Sequence, residues 1–407
     1  MHSARFLLPI LAPTLALTAC GATGTENATD DTASAPPAAS ADCVQDYDPQ
    51  ADADTDYFPE KLELDHAENL TIDYENHYQV VTVEEPAPDA DPERYVLLRC
   101  GLPEPELTDE LAEAPVVEVP VDSVFSRSTT HLPLFQLLDR TETVTGVADG
   151  STVSTTEYRE RLDDGDIVEF AVDQTLDQEL VISHDPDLVM TAGVQDPDDQ
   201  GVRDAGIPVI ANAEWLEPTP LGRAEWIKLA AALTGTERQA RAEFADIEAD
   251  YRDIAEQVAD AESVQVLTGQ MRDGVWTVPA GDSYAGRLLA DAGADYAWSD
   301  TTGGASVELD VEEVLAQAQD TTPWIAGADW GSLDDVTADD GRYAEFTAVT
   351  TGEVWTNNNK IGPTGGNLYW EEGVSRPDLV LADLVRIVHP DLLEEHELVY
   401  YRQLDEA

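Results

Sequence analysis

Along residues 62–100 apolar positions alternate with polar ones at a period of two. The runs 70–74, 79–83 and 95–98 are rich in Val, Leu, Ile, Thr and Tyr and are separated by Asn, Asp and Pro. This predicts three short strands in a small antiparallel β element near the N-terminus. The run 116–120 reads as a further strand, followed by the polar stretch Ser126-Arg127-Ser128-Thr129-Thr130-His131 and a helix over 132–138. Strand, polar loop and helix in that order predict the opening of an α/β unit, where ligands sit at the carboxyl ends of strands. Two short apolar strands, 187–193 and 206–212, flank a helical 198–205. Such strands suit a parallel sheet buried on both faces.

From 219 to 261 the period changes to that of a helix. Thr219-Pro220 supplies an N-cap and a first-turn proline, and Gly235 ends the first helix. Thr236-Glu237-Arg238-Gln239 has the spacing of a capping box. Phe244, Ile247, Tyr251, Ile254 and Val258 then recur at threes and fours, one apolar stripe. A helix of about 24 residues would extend about 36 Å, long enough to run between two lobes. After 263 the α/β pattern resumes, with strands at 263–267, 324–327 and 353–355 and helices over 286–292 and 376–388. The expected fold is α/β: two Rossmann-like lobes, 61–217 and 263–407, joined by a long linking helix within 218–262. The small antiparallel element belongs to the first lobe.

The first residues carry an address rather than a fold. A short basic start (His2, Arg5) leads into an apolar run over 6–16 that is too short to span a bilayer. Leu17-Thr18-Ala19-Cys20-Gly21 resembles a bacterial lipobox, in which Cys20 is lipidated and becomes the new N-terminus. Residues 1–19 are then a signal peptide. Residues 20–60, rich in Ala, Thr, Ser, Pro and Asp, form a disordered tether to the membrane. Asp52-Ala53-Asp54-Thr55-Asp56 begins like a calcium loop, but its sixth place is Tyr57 instead of Gly, so it reads as solvated linker. The chain has 3 Cys. With Cys20 lipidated, Cys43 and Cys100 remain, and in an oxidising exterior they are expected to pair.

Composition narrows the partners. The 407 residues hold 21 Lys+Arg against 84 Asp+Glu, a formal net charge of -63. That excludes a nucleic-acid binder, which needs a basic surface. A hydrophobic content of 42%, with 8 Trp and 13 Tyr, excludes a disordered acidic tail. The near absence of lysine suits a salt-rich habitat, where self-repulsion is screened.

No GxSxG elbow, HExxH or Walker A loop occurs, and none of the 7 His forms a metal-spaced pair with another His or Cys. An enzyme is therefore not expected, nor a resident metal or cofactor. The distinctive feature is aromatic residues in loops. Trp215, beside Glu214, follows a strand, as does Trp276. Tyr284, Trp298, Trp330, Tyr369 and Trp370 lie in stretches rich in Gly, Asn and Asp. Aromatics carried on a rigid scaffold can line a cleft for a large, partly apolar ligand.

Five segments in order carry a resemblance. They are Asp177-Gln178-Glu179-Leu180-Val181-Ile182-Ser183-His184-Asp185-Pro186-Asp187-Leu188-Val189, Gly206-Ile207-Pro208-Val209, Pro220-Leu221-Gly222-Arg223-Ala224-Glu225-Trp226-Ile227-Lys228, Asp291-Ala292-Gly293-Ala294-Asp295-Tyr296, and Arg376-Pro377-Asp378-Leu379-Val380-Leu381-Ala382-Asp383-Leu384. Over residues 65–405 the chain resembles class III periplasmic substrate-binding proteins of ABC importers, the group serving ferric siderophores, cobalamin and haem. The resemblance implies limited hinge motion between the lobes and a monomeric receptor that passes its solute to a permease and its ATPase. It also implies one acidic residue near the top of each lobe that docks on permease arginines. Glu179 matches the first. Glu312 matches the second best, with Glu313 next, although the stretch from Glu312 to Pro323 is longer than the family's spacing. Carboxylate–guanidinium pairs, directional and bidentate, suit such a transient surface.

The expected solute is an iron–siderophore, which brings its own metal shell; cobalamin ranks second and haem third. Haem would draw an axial ligand from His131 or Tyr284. Candidate ligand contacts are Thr129, Thr130, His131, Glu214 and Trp215 from the first lobe. From the second they are Trp276, Tyr284, Trp298, Asn357, Asn367, Tyr369 and Trp370. A surface enzyme on a similar bilobal fold is the alternative class.

Overall fold

The computed structural model describes residues 43–172, 175–193 and 197–405. The signal segment and Cys20 lie outside them. Leu70–Tyr74, Tyr78–Val83 and Glu93–Arg99 pair antiparallel, as their alternation dictates. The run 116–120 departs from expectation. Val116–Val119 joins this N-terminal sheet, parallel to Val96–Arg99. Pro120 follows, with no amide to donate, and ends the strand.

The first lobe's parallel sheet instead begins at Val124–Ser126. Its order is Val209–Ala211, Leu188–Thr191, Val124–Ser126, Val144–Val147, Val168–Glu169, every pair parallel. The second lobe repeats the plan with Leu267–Thr268, Trp324–Ala326 and Val354–Thr356 in parallel, and Arg402–Gln403 antiparallel at the edge. An antiparallel ribbon of Gln270–Arg272, Val275–Pro279 and Ser306–Leu309 stands beside it.

The linking helix runs Glu237–Val258, 22 residues, or about 33 Å. Its apolar stripe serves both lobes: Phe244 and Ile247 enter the first hydrophobic core, Tyr251 and Val258 the second. The capping box at its start does not form. The Thr236 hydroxyl pairs with that of Thr234 at 2.8 Å, and Gln239 donates to the Leu137 carbonyl at 3.2 Å.

The later part of the expected tether is folded. Cys43 and Cys100 form a disulfide, and the Val44 amide donates to the Cys100 carbonyl at 2.9 Å. Phe58 is buried in the first core with Tyr57 packed against it. These two aromatics supply the apolar anchorage that the small and acidic residues before them lack. Among the described residues, no helix is long and apolar enough to cross a membrane.

Candidate functional site

The carboxyl ends of the parallel strands carry a hollow in each lobe. In the first lobe, Ser126 and Val147 end two central strands, and the loops that follow bring Arg127, Ser128, Thr129, Asp149 and Thr152 around a cavity of about 430 Å³. Arg127 is ion-paired to Asp199 at 2.5 Å. Behind this wall the Thr130 hydroxyl donates to Glu214 at 2.6 Å. The Ser126 hydroxyl donates to the Ser128 carbonyl at 2.9 Å, so it accepts from His131 Nδ1, also at 2.9 Å. His131 is fully buried, and burial pushes its pKa down to about 3. It is a neutral structural imidazole.

In the second lobe, Asp273 and Gly274 both have positive φ and form a two-residue hairpin loop. Arg272 is thereby paired with Val275 at the tip of the ribbon and left exposed. Two cavities meet beside it. The inner one, about 440 Å³, is walled by Val278, Leu288, Leu289, Ile325, Leu384 and Tyr401. The outer one, about 900 Å³, is walled by Trp330 and the carboxylates of Asp329, Asp335 and Asp339. Gln270, Arg272, Gly327 and Trp370 line both. Trp370 is 51% exposed. Arg272 makes no ion pair or side-chain hydrogen bond among the described residues.

The lobes touch across the cleft. The helix Leu368–Glu372 packs on the turn Thr129–His131 and the helix Leu132–Leu137. Arg223, from the segment joining the lobes, lies over the Tyr284 ring at 4.1 Å while donating to the Trp215 carbonyl at 2.7 Å.

Of the sequence candidates, Thr129 lines the first-lobe cavity, and Asn357, Tyr369 and Trp370 line the inner cavity of the second. Asn357 offers a buried Oδ1 with no partner among the described residues. Thr130, His131 and Glu214 support the wall without lining it. Trp215, 36% exposed, donates its indole N–H to the Ala192 carbonyl. Tyr284 is covered by Arg223. Asn367 caps the helix Leu368–Glu372 through the Tyr369 amide.

Two candidates are corrected. Trp276 is 0% exposed and stacks on Trp324 with ring centroids 5.5 Å apart. Trp298 is also buried in the second core. Trp276 sits in the strand Val275–Pro279, whose alternation turns its ring inward, whereas Trp298 lies in the turn after the strand Ala294–Asp295. Glu179 and Glu312 are exposed in the first turns of the helices Gln178–His184 and Val311–Ala318. Sequence reasoning missed Gln270 and Arg272. Asp273-Gly274 between β-forming residues is the hairpin signal that could have found them.

Residues 124–359 match the family model described as periplasmic binding protein. An uncharacterized lipoprotein of Methanocaldococcus jannaschii is 24% identical over 295 residues, 70% of this chain and 69% of that one. A solved periplasmic binding protein from Veillonella parvula is similar at 13% identity and a TM-score of 0.54, covering 79% of this chain and 98% of its own. Helicobacter pylori CeuE with Ni(II) bound is similar at 17% identity and a TM-score of 0.52, covering 69% and 88%. These two structures share the fold.

Proposed function

The chain belongs to the periplasmic binding protein family, and from that premise we propose that it captures an iron–siderophore between its lobes and delivers it to an ABC permease. The family is one of solute receptors, not enzymes. The observation that carries the finer reading is Arg272, an exposed guanidinium lining both second-lobe cavities. Its fixed fork of N–H donors matches the oxygen-rich shell of a ferric chelate.

Charge narrows the chelate further. Asp329, Asp335 and Asp339 line the outer cavity, and the whole chain carries -63. A polyanionic catecholate complex would be repelled, whereas a neutral or cationic ferric hydroxamate would not. Cobalamin, whose periphery is mostly neutral amide with one phosphodiester, makes less use of a guanidinium. Haem ranks below both, because His131 is fully buried, Tyr284 is covered by Arg223, and neither lines a cavity described above.

Lipidation at Cys20 would anchor the receptor, in line with the lipoprotein names of the Methanocaldococcus jannaschii relatives. Glu179 and Glu312 are the proposed permease-docking carboxylates, with Glu313 the neighbour of the latter. Equilibrium dialysis against a ferric trihydroxamate, cyanocobalamin and haemin tests the ligand. Retention of the ferric chelate is expected, and retention only of another compound overturns the reading. Unchanged uptake by a Glu179→Ala, Glu312→Ala double variant with the cognate permease would remove the docking assignment.

A further inference from the structure

The two second-lobe cavities differ in chemistry although they share a mouth. The outer is open and lined by three carboxylates. The inner has one charged lining residue, Arg272, and it stands at the shared mouth. Behind it, Val278 and Pro279 of the ribbon, Leu288 and Leu289 of the helix Tyr284–Asp291, Ile325 and Leu384 surround the space. A neutral or cationic ferric chelate head fits the outer cavity, where Arg272 can donate to its oxygens and the carboxylates of Asp329, Asp335 and Asp339 favour positive charge. Among the mainly apolar walls of the inner cavity, whose polar groups such as Thr268, Thr277, Ser306 and Asn357 are few and neutral, it would recover less of its lost hydration. An inner volume of about 440 Å³ also falls within the range of ligand pockets.

We propose that the inner cavity receives an apolar arm of the solute, so that the transported chelate is amphiphilic: an oxygen-shelled ferric head joined to an aliphatic chain. This rests on the reading of the cleft as a chelate site. Trp370 and Gly327, common to both cavities, mark the passage between head and chain. Gly327 leaves that passage wide. A Cβ built on it stands 3.8 Å from Trp370 and 3.9 Å from both Asn357 and Gln270. The chain gains by leaving water, at about fourfold in affinity per buried methylene.

The test is a series of ferric trihydroxamates whose terminal amine is acylated with acetyl, hexanoyl or decanoyl, so that only chain length changes. Binding is measured to the wild type and to Ala285→Phe, which fills the inner cavity from its helix and leaves the outer wall intact. For the wild type the dissociation constant falls by about fourfold per methylene until the cavity is full. In Ala285→Phe the acetyl member binds as before and the dependence on chain length disappears. Wild-type affinity that ignores chain length, or a variant that keeps the slope, overturns the proposal while leaving the chelate reading standing. If no member binds, the chelate reading fails, and the dye 1-aminoanthracene decides the cavity alone. Enhanced fluorescence with wild type and none with the variant supports an apolar receptor pocket; equal response overturns it. Ser306→Phe, on the ribbon strand Ser306–Leu309 and lining only the inner cavity, replaces Ala285→Phe should that variant not fold.

Discussion

The carboxylate of Glu371, in the second lobe, accepts the backbone amide of Ser154, in the first, at 2.7 Å, and that of Thr155 at 3.0 Å. The glycines at 362 and 366 press on the same residue: a Cβ at either would collide with Ser154. One side chain thus clasps the two lobes on one side of the cleft. Glu371→Ala leaves two buried amides without acceptors, at about 1–3 kcal/mol each. Denaturant unfolding is expected to record a loss of about 2–6 kcal/mol for the two together. Unchanged stability would mean the clasp is idle.

Glu225 serves the first lobe in a related way and gives a pH signature. Its carboxylate accepts the amides of Asp65, His66 and Ala67 at 2.7–3.0 Å and pairs with Lys228 at 2.5 Å. Burial alone would raise its pKa; the Lys228 and backbone hydrogen bonds outweigh burial and hold it below the usual value. A depressed folded pKa contributes stability above the ordinary glutamate range and loses it as pH falls through the folded value. Glu225→Gln is expected to cost about 3–5 kcal/mol at neutral pH. The gap to wild type should close on acidification, followed by urea unfolding at several pH values. A gap independent of pH would contradict this linkage.

The Cys43–Cys100 bridge ties the segment before the N-terminal sheet to that sheet across a sequence separation of 57. Reduction is expected to lower stability by about 2–4 kcal/mol, read as a drop in the unfolding midpoint with dithiothreitol. A free-thiol assay on the unfolded, unreduced protein should find neither of these two sulfurs.

Much of the frame was legible from residue order. Leu70–Tyr74 alternates cleanly and forms the strand at the expected residues. The stripe Phe244, Ile247, Tyr251, Val258 fixed both the linking helix and its role between lobes, because a period of threes and fours has one structural meaning. The site was harder to read. Trp276 and Trp370 both follow Gly-containing loops in the sequence, yet one, in the strand Val275–Pro279, is stacked on Trp324 in the core and the other, in the helix Leu368–Glu372, stands at the cleft. The face that Trp276 turns inward is set by its pairing with Met271 and with the distant Leu309. Glu225 and Glu371 were hidden by abundance: they stand among 84 acidic residues, and the amides that these two accept lie more than a hundred positions away. The charge therefore divides between a solvated skin and a small set of internal acceptors that includes Asp383, which receives the amides of Val399, Tyr400 and Tyr401.

Arg272 is the residue on which recognition of the chelate head turns. Hydrogen bonds from a charged donor are worth about 1.5–3 kcal/mol. Arg272→Ala should therefore weaken binding of a ferric trihydroxamate by about 10- to 150-fold. Arg272→Lys should recover only part, since an ammonium cannot reproduce the planar fork. Isothermal titration of both variants checks this; equal affinity for wild type and Arg272→Ala would place recognition elsewhere.

The central claim is that the cleft binds an oxygen-shelled ferric chelate, and tryptophan fluorescence tests it most directly, because Trp370 lines both second-lobe cavities. The protein is titrated with a ferric trihydroxamate, a ferric tris-catecholate, cyanocobalamin and haemin, and Trp370→Phe serves as the control. The predicted result is saturable quenching that is tightest for the ferric trihydroxamate and much reduced in amplitude in Trp370→Phe. Tightest binding of cyanocobalamin or haemin, or no response to any of the four, would contradict it.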